Sequence, residues 1–92
     1  MKRSILQNEK VCYLCPRTTG LEKHHIMSGF ANRKLSEKYG LWVWLCHEHH
    51  TGKEGAQYEK DLNMLLRRQA QKEFELIYGH NLWMSVFRKN YL

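Results

Sequence analysis

Residues 41–53 read LWVWLCHEHHTGK, and this stretch decides the fold. Its first five residues are aromatic or branched, and a run of this length and β-propensity predicts a buried strand from Leu41 to Leu45. The strand leads directly into Cys46, and the segment after it predicts a turn into a short helix that Gly52 interrupts or ends. Cys46 and His49 are separated by two residues, a spacing that lets both side chains reach one metal ion.

A second pair with the same spacing lies earlier in the chain. Cys12 and Cys15 are also separated by two residues, and Pro16 follows them in a predicted turn. The chain has three cysteines, an odd number that excludes a full disulfide framework, and a bridge between Cys12 and Cys15 would close a strained loop. The two pairs together predict a tetrahedral zinc site formed by Cys12, Cys15, Cys46 and His49. The alternative is that the cysteines are buried free thiols and His49 lies on the surface.

The histidines are concentrated in the same part of the chain, with five of the six between His24 and His50. His24 and His25 belong to a predicted short strand over residues 21–26, in which neighbouring side chains point to opposite faces. On a helical turn, His50 is rotated by about 100 degrees from His49. His24 and His50 can therefore share a second metal ion while His25 faces a substrate or a water. The alternative is a pair of surface histidines on a zinc-stabilised hairpin.

The remaining segments are expected to add one more strand and two helices. Residues 9–20 predict a short strand that enters the first cysteine pair. Residues 27–40 form a basic segment bounded by glycines, which predicts a long loop with one helical turn. From residue 58 to residue 78, apolar side chains recur at steps of three and four, which predicts a long helix that ends at Gly79. Asn81 is the expected N-cap of a final helix.

The length and composition are those of one folded domain. The chain has 92 residues, of which 42% are hydrophobic, enough for a packed core but too few residues for two independent cores. We therefore expect a single α+β domain over residues 1–92, with its core at residues 9–57 and a helical extension at residues 58–92.

The net charge favours a polyanionic partner. Fifteen Lys and Arg residues against nine Asp and Glu residues give a formal net charge of +6 and a pI near 9.4. Nucleic acid is therefore the leading partner class. No apolar stretch approaches the length of a membrane span, and the basic start is not followed by a signal-peptide hydrophobic region. We expect a cytoplasmic protein that needs neither a membrane nor a small-molecule cofactor.

The ordered set of cysteines and histidines resembles the HNH endonuclease family, whose core is the ββα-metal or His-Me finger fold. In that family a C-x2-C knuckle precedes a strand ending in Asp-His-Ile or His-His-Ile, and a second C-x2-C/H knuckle precedes a metal-binding histidine followed by x-x-Lys. The likeness spans nearly half of the chain, through Cys12 and Cys15, His24-His25-Ile26, Cys46 and His49, and His50-Thr51-Gly52-Lys53. The pattern is most similar to the phage recombination-enhancement nucleases, in which a later helix ends in an aromatic-Gly pair, here Tyr78-Gly79.

This resemblance implies a small zinc-stabilised ββα-metal core with one or two additional C-terminal helices. It also implies a metal-dependent DNA endonuclease that hydrolyses phosphodiester bonds and leaves 5′-phosphate and 3′-hydroxyl ends. In such an enzyme His25 is the general base that deprotonates the attacking water. His24 and His50 bind one catalytic divalent ion, Mg²⁺, Mn²⁺ or another divalent ion, in addition to the structural Zn²⁺.

Other site residues follow from the resemblance less directly. The middle asparagine of the family usually lies where this chain has Gly40 and Leu41, so Asn32 is the expected substitute that holds the strand of the base histidine. The positive charge of Arg33 and Lys53 makes them the expected phosphate contacts, and the alternative is that they belong to a solvated charged face. The candidates for a third protein ligand of the catalytic ion are Glu54 and Gln57.

The resemblance also implies a phage or prophage origin, a bacterial cytoplasm and DNA as the substrate. A packaging or recombination protein of the phage is an expected partner. The alternative function is a non-catalytic zinc-binding module that binds nucleic acid or another protein. That alternative predicts one metal ion per chain, whereas the nuclease predicts two.

Overall fold

The computed structural model describes residues 2–52, 55–56 and 59–92. Over these residues the chain forms a small α+β structure with a two-stranded antiparallel sheet and four helices. The elements are β1 Leu21–His25, α1 Phe30–Tyr39, β2 Trp42–Cys46, α2 His47–His50, α3 Lys60–Tyr78 and α4 His80–Phe87. Within the described ranges, no helix has both the length and the apolar character needed to cross a membrane.

His24 and His25 lie on opposite faces of the sheet, as predicted. His24 pairs with Val43, and His25 pairs with Trp42. Directly opposite residues share a face of an antiparallel pair, so His24 lies on the face where Val43 is fully buried in the core. His25 lies on the face of Trp42, whose Nε1 donates a hydrogen bond to the carbonyl of Lys2 at 3.2 Å.

The predicted strand over residues 9–20 is wrong, because this segment forms turns. The backbone N–H of Cys12 donates to the carbonyl of Arg17 at 2.8 Å, and the N–H of Tyr13 donates to the carbonyl of Trp44 on β2 at 2.8 Å. Two cysteines that must approach one point need a tight turn, whereas an extended chain directs side chains alternately to opposite sides. The approach of the two cysteines to one point therefore overrides the local β-propensity.

The predicted loop over residues 27–40 is also wrong, because most of it is helix α1. The flanking glycines lie at the helix ends and do not mark a loop. Gly40 adopts the left-handed conformation with φ 72° at the C-terminus of α1, and its N–H donates to the carbonyl of Ser36. A Cβ at Gly40 would also collide with the carbonyl oxygen of Arg3. Both the helix stop and the close approach of the N-terminal segment therefore require glycine.

Helix α3 supplies most of the helical part of the core, as its spacing predicted. Leu66, Ala70 and Phe74 follow one another at steps of four, and all are fully buried. They pack in one cluster with the buried side chains of β2. The helix ends at Tyr78 before Gly79, as predicted.

Helix α4 begins two residues earlier than predicted. It starts at His80, with Gly79 in the N-cap position, so Asn81 lies exposed inside the first turn and is not the cap. Trp83 is fully buried, and its Nε1 donates to the carbonyl of Lys89 at 2.8 Å. Burial of the large indole fixes where the helix lies, so capping preference does not determine its start.

A buried glutamine on α3 holds the C-terminal segment. Nε2 of Gln71 donates to Oδ1 of Asn90 at 2.7 Å and to Oε2 of Glu75 at 2.6 Å, and its Oε1 accepts from the N–H of Tyr91 at 2.7 Å. Gln71 itself is fully buried. All of its polar atoms are thus satisfied, which is the condition for burying an amide without a large cost.

Gln71→Leu is therefore expected to lower the free energy of unfolding by about 1–3 kcal/mol, because it keeps the volume but leaves these partners unpaired. Denaturant unfolding followed by circular dichroism measures the change. The matched control is Lys72→Leu at the exposed neighbouring position, which is expected to change stability by less than about 0.5 kcal/mol. Equal stabilities of the two variants would contradict a structural role for the Gln71 network.

Candidate active site and metal centre

Three cysteines and one histidine come together at the end of β2, with their potential ligand atoms all within 4.8 Å of one another: Cys12, Cys15, Cys46 and His49. Sγ of Cys15 is 3.8 Å from Sγ of Cys46, and Nδ1 of His49 is 3.2 Å from the same sulfur. Zinc–sulfur bonds of about 2.3 Å in a tetrahedron place two sulfurs about 3.8 Å apart. The residues predicted from the sequence thus form a group that can hold a metal ion such as zinc.

Hydrogen bonds at Cys12 favour the charged form that binds metal. Burial raises the pKa of this thiol, but hydrogen bonds from the backbones of Cys46 and Leu14, together with its side-chain neighbours, outweigh burial and lower the pKa from 9.0 to about 6. The thiolate is the form of cysteine that coordinates zinc. The site therefore offers an ionised sulfur near neutral pH.

A second cluster forms where β1 meets α2. The rings of His24 and His50 face each other with centroids 5.2 Å apart at 68°. Nδ1 of His50 lies 2.8 Å from Oε1 of Glu22, and this hydrogen bond is the main cause of the lowered pKa of the Glu22 carboxyl. Because an ionised carboxylate only accepts hydrogen bonds, Nδ1 of His50 donates, which leaves Nε2 as the ring nitrogen that is available to a ligand.

The ring of His24 is buried and incompletely paired. His24 is 8% exposed, and Nε2 of its ring is buried with no hydrogen-bond partner within the described part of the chain. Burial, followed by the charges of His50, His25 and Arg67, lowers the pKa of His24 to about 4, so the imidazole is neutral at pH 7. A buried nitrogen without a partner is costly, and a bound cation would satisfy it.

His25 is paired with a carboxylate on α1. Its Nε2 lies 2.7 Å from Oε1 of Glu37, and the same oxygen accepts a hydrogen bond from Nζ of Lys23 at 3.0 Å. The hydrogen bond from His25, reinforced by Lys23, lowers the pKa of the Glu37 carboxyl against the opposing effect of burial. Glu37 is therefore ionised and holds the proton on Nε2 of His25. Nδ1 remains as the nitrogen that can accept a proton.

All three histidines border one pocket with a volume of about 560 Å³. Its wall also includes Phe30 and Arg33 from the first turn of α1. The pocket thus combines the neutral imidazole of His24, two carboxylate-paired histidines and cationic side chains. Such a set can bind a divalent ion, accept a proton from a water and attract an anion.

The structure separates the other predicted site residues. Asn32 is half-buried on α1 and, over the residues described, makes no hydrogen bond to β1 or to the pocket. The loop after β1 is held by Ser36, whose Oγ donates to the carbonyl of Met27 at 3.1 Å and accepts from its N–H at 3.3 Å. Ser36 thus performs the task expected of Asn32. Three further predicted residues fall outside the described part of the chain: Lys53, Glu54 and Gln57.

Two carboxylates that orient histidines, Glu22 and Glu37, were not predicted from the sequence. Glu22 lies two residues before His24, so alternation along a strand places both side chains on one face, and this signal was available in the sequence. Glu37 reaches His25 only because α1 is a helix that packs beside β1. A segment treated as a loop gives no reason to connect Glu37 with His25.

Comparisons of this chain with protein-family models, with curated proteins and with solved structures gave no match.

Proposed function

We propose that this protein is a metal-dependent DNA endonuclease of the HNH type. In this assignment His25 is the general base, His24 and His50 bind one divalent ion, and the site formed by three cysteines and His49 holds a structural zinc. The expected ends are a 5′-phosphate and a 3′-hydroxyl. A phage or prophage origin and action in the bacterial cytoplasm belong to the same proposal.

The unpaired Nε2 of His24 is the observation that carries the proposal. It is buried beside His50, whose own Nδ1 is held by Glu22. A carboxylate that orients a histidine through one nitrogen and leaves the other free is the usual support of a metal-bound imidazole. His24 and His50, whose ring centroids are 5.2 Å apart, would each offer one ring nitrogen to the same divalent ion.

The chain's own groups account for the remaining requirements of hydrolysis. Glu37 fixes the tautomer of His25, so Nδ1 can take the proton of the attacking water. Arg33 brings positive charge to the pocket that a phosphate would enter. When bound, the divalent ion supplies a Lewis acid that stabilises the charge developing on the phosphate and on the leaving oxygen.

The test is plasmid cleavage by the purified protein. The wild type is expected to nick supercoiled DNA with Mg²⁺ or Mn²⁺, and His50→Ala is expected to reduce the rate on the order of 100-fold or more, because loss of the ion removes several kcal/mol of transition-state stabilisation. The matched control is His47→Ala, which removes an exposed imidazole from the same helix and is expected to cleave normally.

Metal counting separates this proposal from its rival. The nuclease is expected to bind one Mn²⁺ per chain beside its zinc, and His50→Ala is expected to lose the Mn²⁺ and keep the zinc. A non-catalytic zinc module would bind nucleic acid or protein with one metal only and leave the plasmid intact. Equal cleavage by wild type and His50→Ala, or no cleavage by either under any of these conditions, would overturn the assignment.

A further inference from the structure

An aromatic side chain stands almost fully in solvent at the edge of the histidine pocket. Phe30 is the first residue of α1, borders the pocket and is 87% exposed. Among the described residues it is the most exposed large hydrophobic side chain, ahead of Leu76 at 74%. Its ring contributes nothing to the core.

The backbone around Phe30 holds the ring at this position. Gly29 precedes the helix with a φ of 102°, and its carbonyl accepts the N–H of Arg33 at 2.8 Å, which closes the first turn of α1. The ring therefore projects from a helix end and not from a free loop. Such a position presents the face of an aromatic ring with little loss of conformational entropy on binding.

One cation lies close to the ring, and a second borders the pocket. Nζ of Lys34 lies 5.4 Å from the centroid of Phe30, and Arg33 borders the same pocket. An aromatic face between cationic side chains is the combination by which proteins bind nucleic acid strands, because bases stack on the ring while phosphates contact the cations. The charge around Phe30 therefore favours a nucleobase over a partner protein's apolar side chain.

We infer that Phe30 stacks on an unpaired nucleobase next to the phosphate that enters the histidine pocket. The substrate is accordingly a DNA strand whose bases are locally unstacked, either single-stranded or opened from a duplex. In an intact duplex both faces of each base are covered by neighbouring bases, and extruding one costs free energy. This inference rests on the proposed nuclease function and specifies its substrate class.

The experiment measures binding of short oligonucleotides that carry one 2-aminopurine, whose fluorescence falls when it stacks. His25→Ala serves as the background, so that binding is measured without cleavage and with zinc in place. Adding Phe30→Ala is expected to weaken single-strand binding by about tenfold and to abolish the stacking-dependent quenching. Phe30→Trp is expected to retain both signals. The matched control is Leu76→Ala, which removes a comparably exposed apolar side chain outside the pocket wall.

The possible outcomes distinguish the two proposals. Unchanged single-strand affinity and quenching in Phe30→Ala would overturn the stacking role, while plasmid cleavage by the wild type would still support the nuclease. An equal loss of affinity for single-stranded and intact duplex DNA would also overturn it, because Phe30 would then contact both forms alike. Absence of cleavage and of binding to either form by otherwise folded protein would overturn both.

Discussion

Cys46→Ser is expected to leave the chain without a stable fold at room temperature. Cys46 is 1% exposed and ends β2, so its sulfur connects the sheet with the turn that carries Cys12 and Cys15. In zinc-finger peptides a structural zinc contributes about 10–16 kcal/mol, whereas a whole domain is stable by only about 5–15 kcal/mol. A structural zinc at this site would contribute as much as the total stability, so loss of one of its ligands is expected to remove a large part of that contribution.

Thermal melting followed by circular dichroism, together with zinc analysis, measures this effect. The wild type is expected to contain one zinc and to melt cooperatively, and a strong chelator is expected to abolish the transition until Zn²⁺ is added back. His49→Cys is the matched variant, because a site with four cysteines is also a normal structural zinc site. A Cys46→Ser protein that melts like the wild type, without zinc, would show that the cysteines are only buried apolar side chains.

The parts of the structure that the sequence predicted are those governed by short-range chemistry. Two residues between Cys12 and Cys15, and two between Cys46 and His49, are enough to identify ligands that reach one point. The strand predicted from Leu41 to Leu45 is confirmed with a shift of one residue, because a run of aromatic and branched residues has few other stable conformations. The apolar side chains of α3 recur at steps of three and four, and this spacing can likewise be recognised from neighbouring residues in the sequence.

The parts that were not predicted depend on how elements pack. Glycines are expected both at the ends of a loop and at the ends of a helix, so the glycines that flank α1 do not indicate which of these structures lies between them. Only the packing of the segment against β1 distinguishes a helix from a loop. Ser36 shows the reason, because its hydroxyl is useful only when its helix lies beside the backbone of Met27. Glu37 depends on the same packing. Conversely, the β-propensity of residues 9–20 was overridden by the geometry of the cysteines.

His25→Ala is expected to lower kcat for plasmid nicking by about 10²–10⁴-fold, the usual contribution of a general base. Glu37→Gln is expected to lower kcat on the order of 10–100-fold, a loss of the same size as when a carboxylate that orients a metal-bound histidine is replaced, with KM little changed. The amide can still accept a hydrogen bond, but it lacks the charge that holds the proton on Nε2 of His25. The matched control is Glu48→Gln, an exposed carboxylate on α2, which is expected to retain full activity.

Combining the two substitutions tests whether Glu37 acts through His25. If it does, Glu37→Gln should cost nothing further in a His25→Ala background, because the histidine that it orients is already absent. Added imidazole should partly restore His25→Ala, since a free base can replace a missing side chain, whereas it should not restore Glu37→Gln. A further loss in the double variant would contradict this coupling, and a lowered melting temperature of Glu37→Gln would assign the carboxylate a structural role instead. If the double variant has the same kcat as His25→Ala, then Glu37 affects the rate through its 2.7 Å contact with His25.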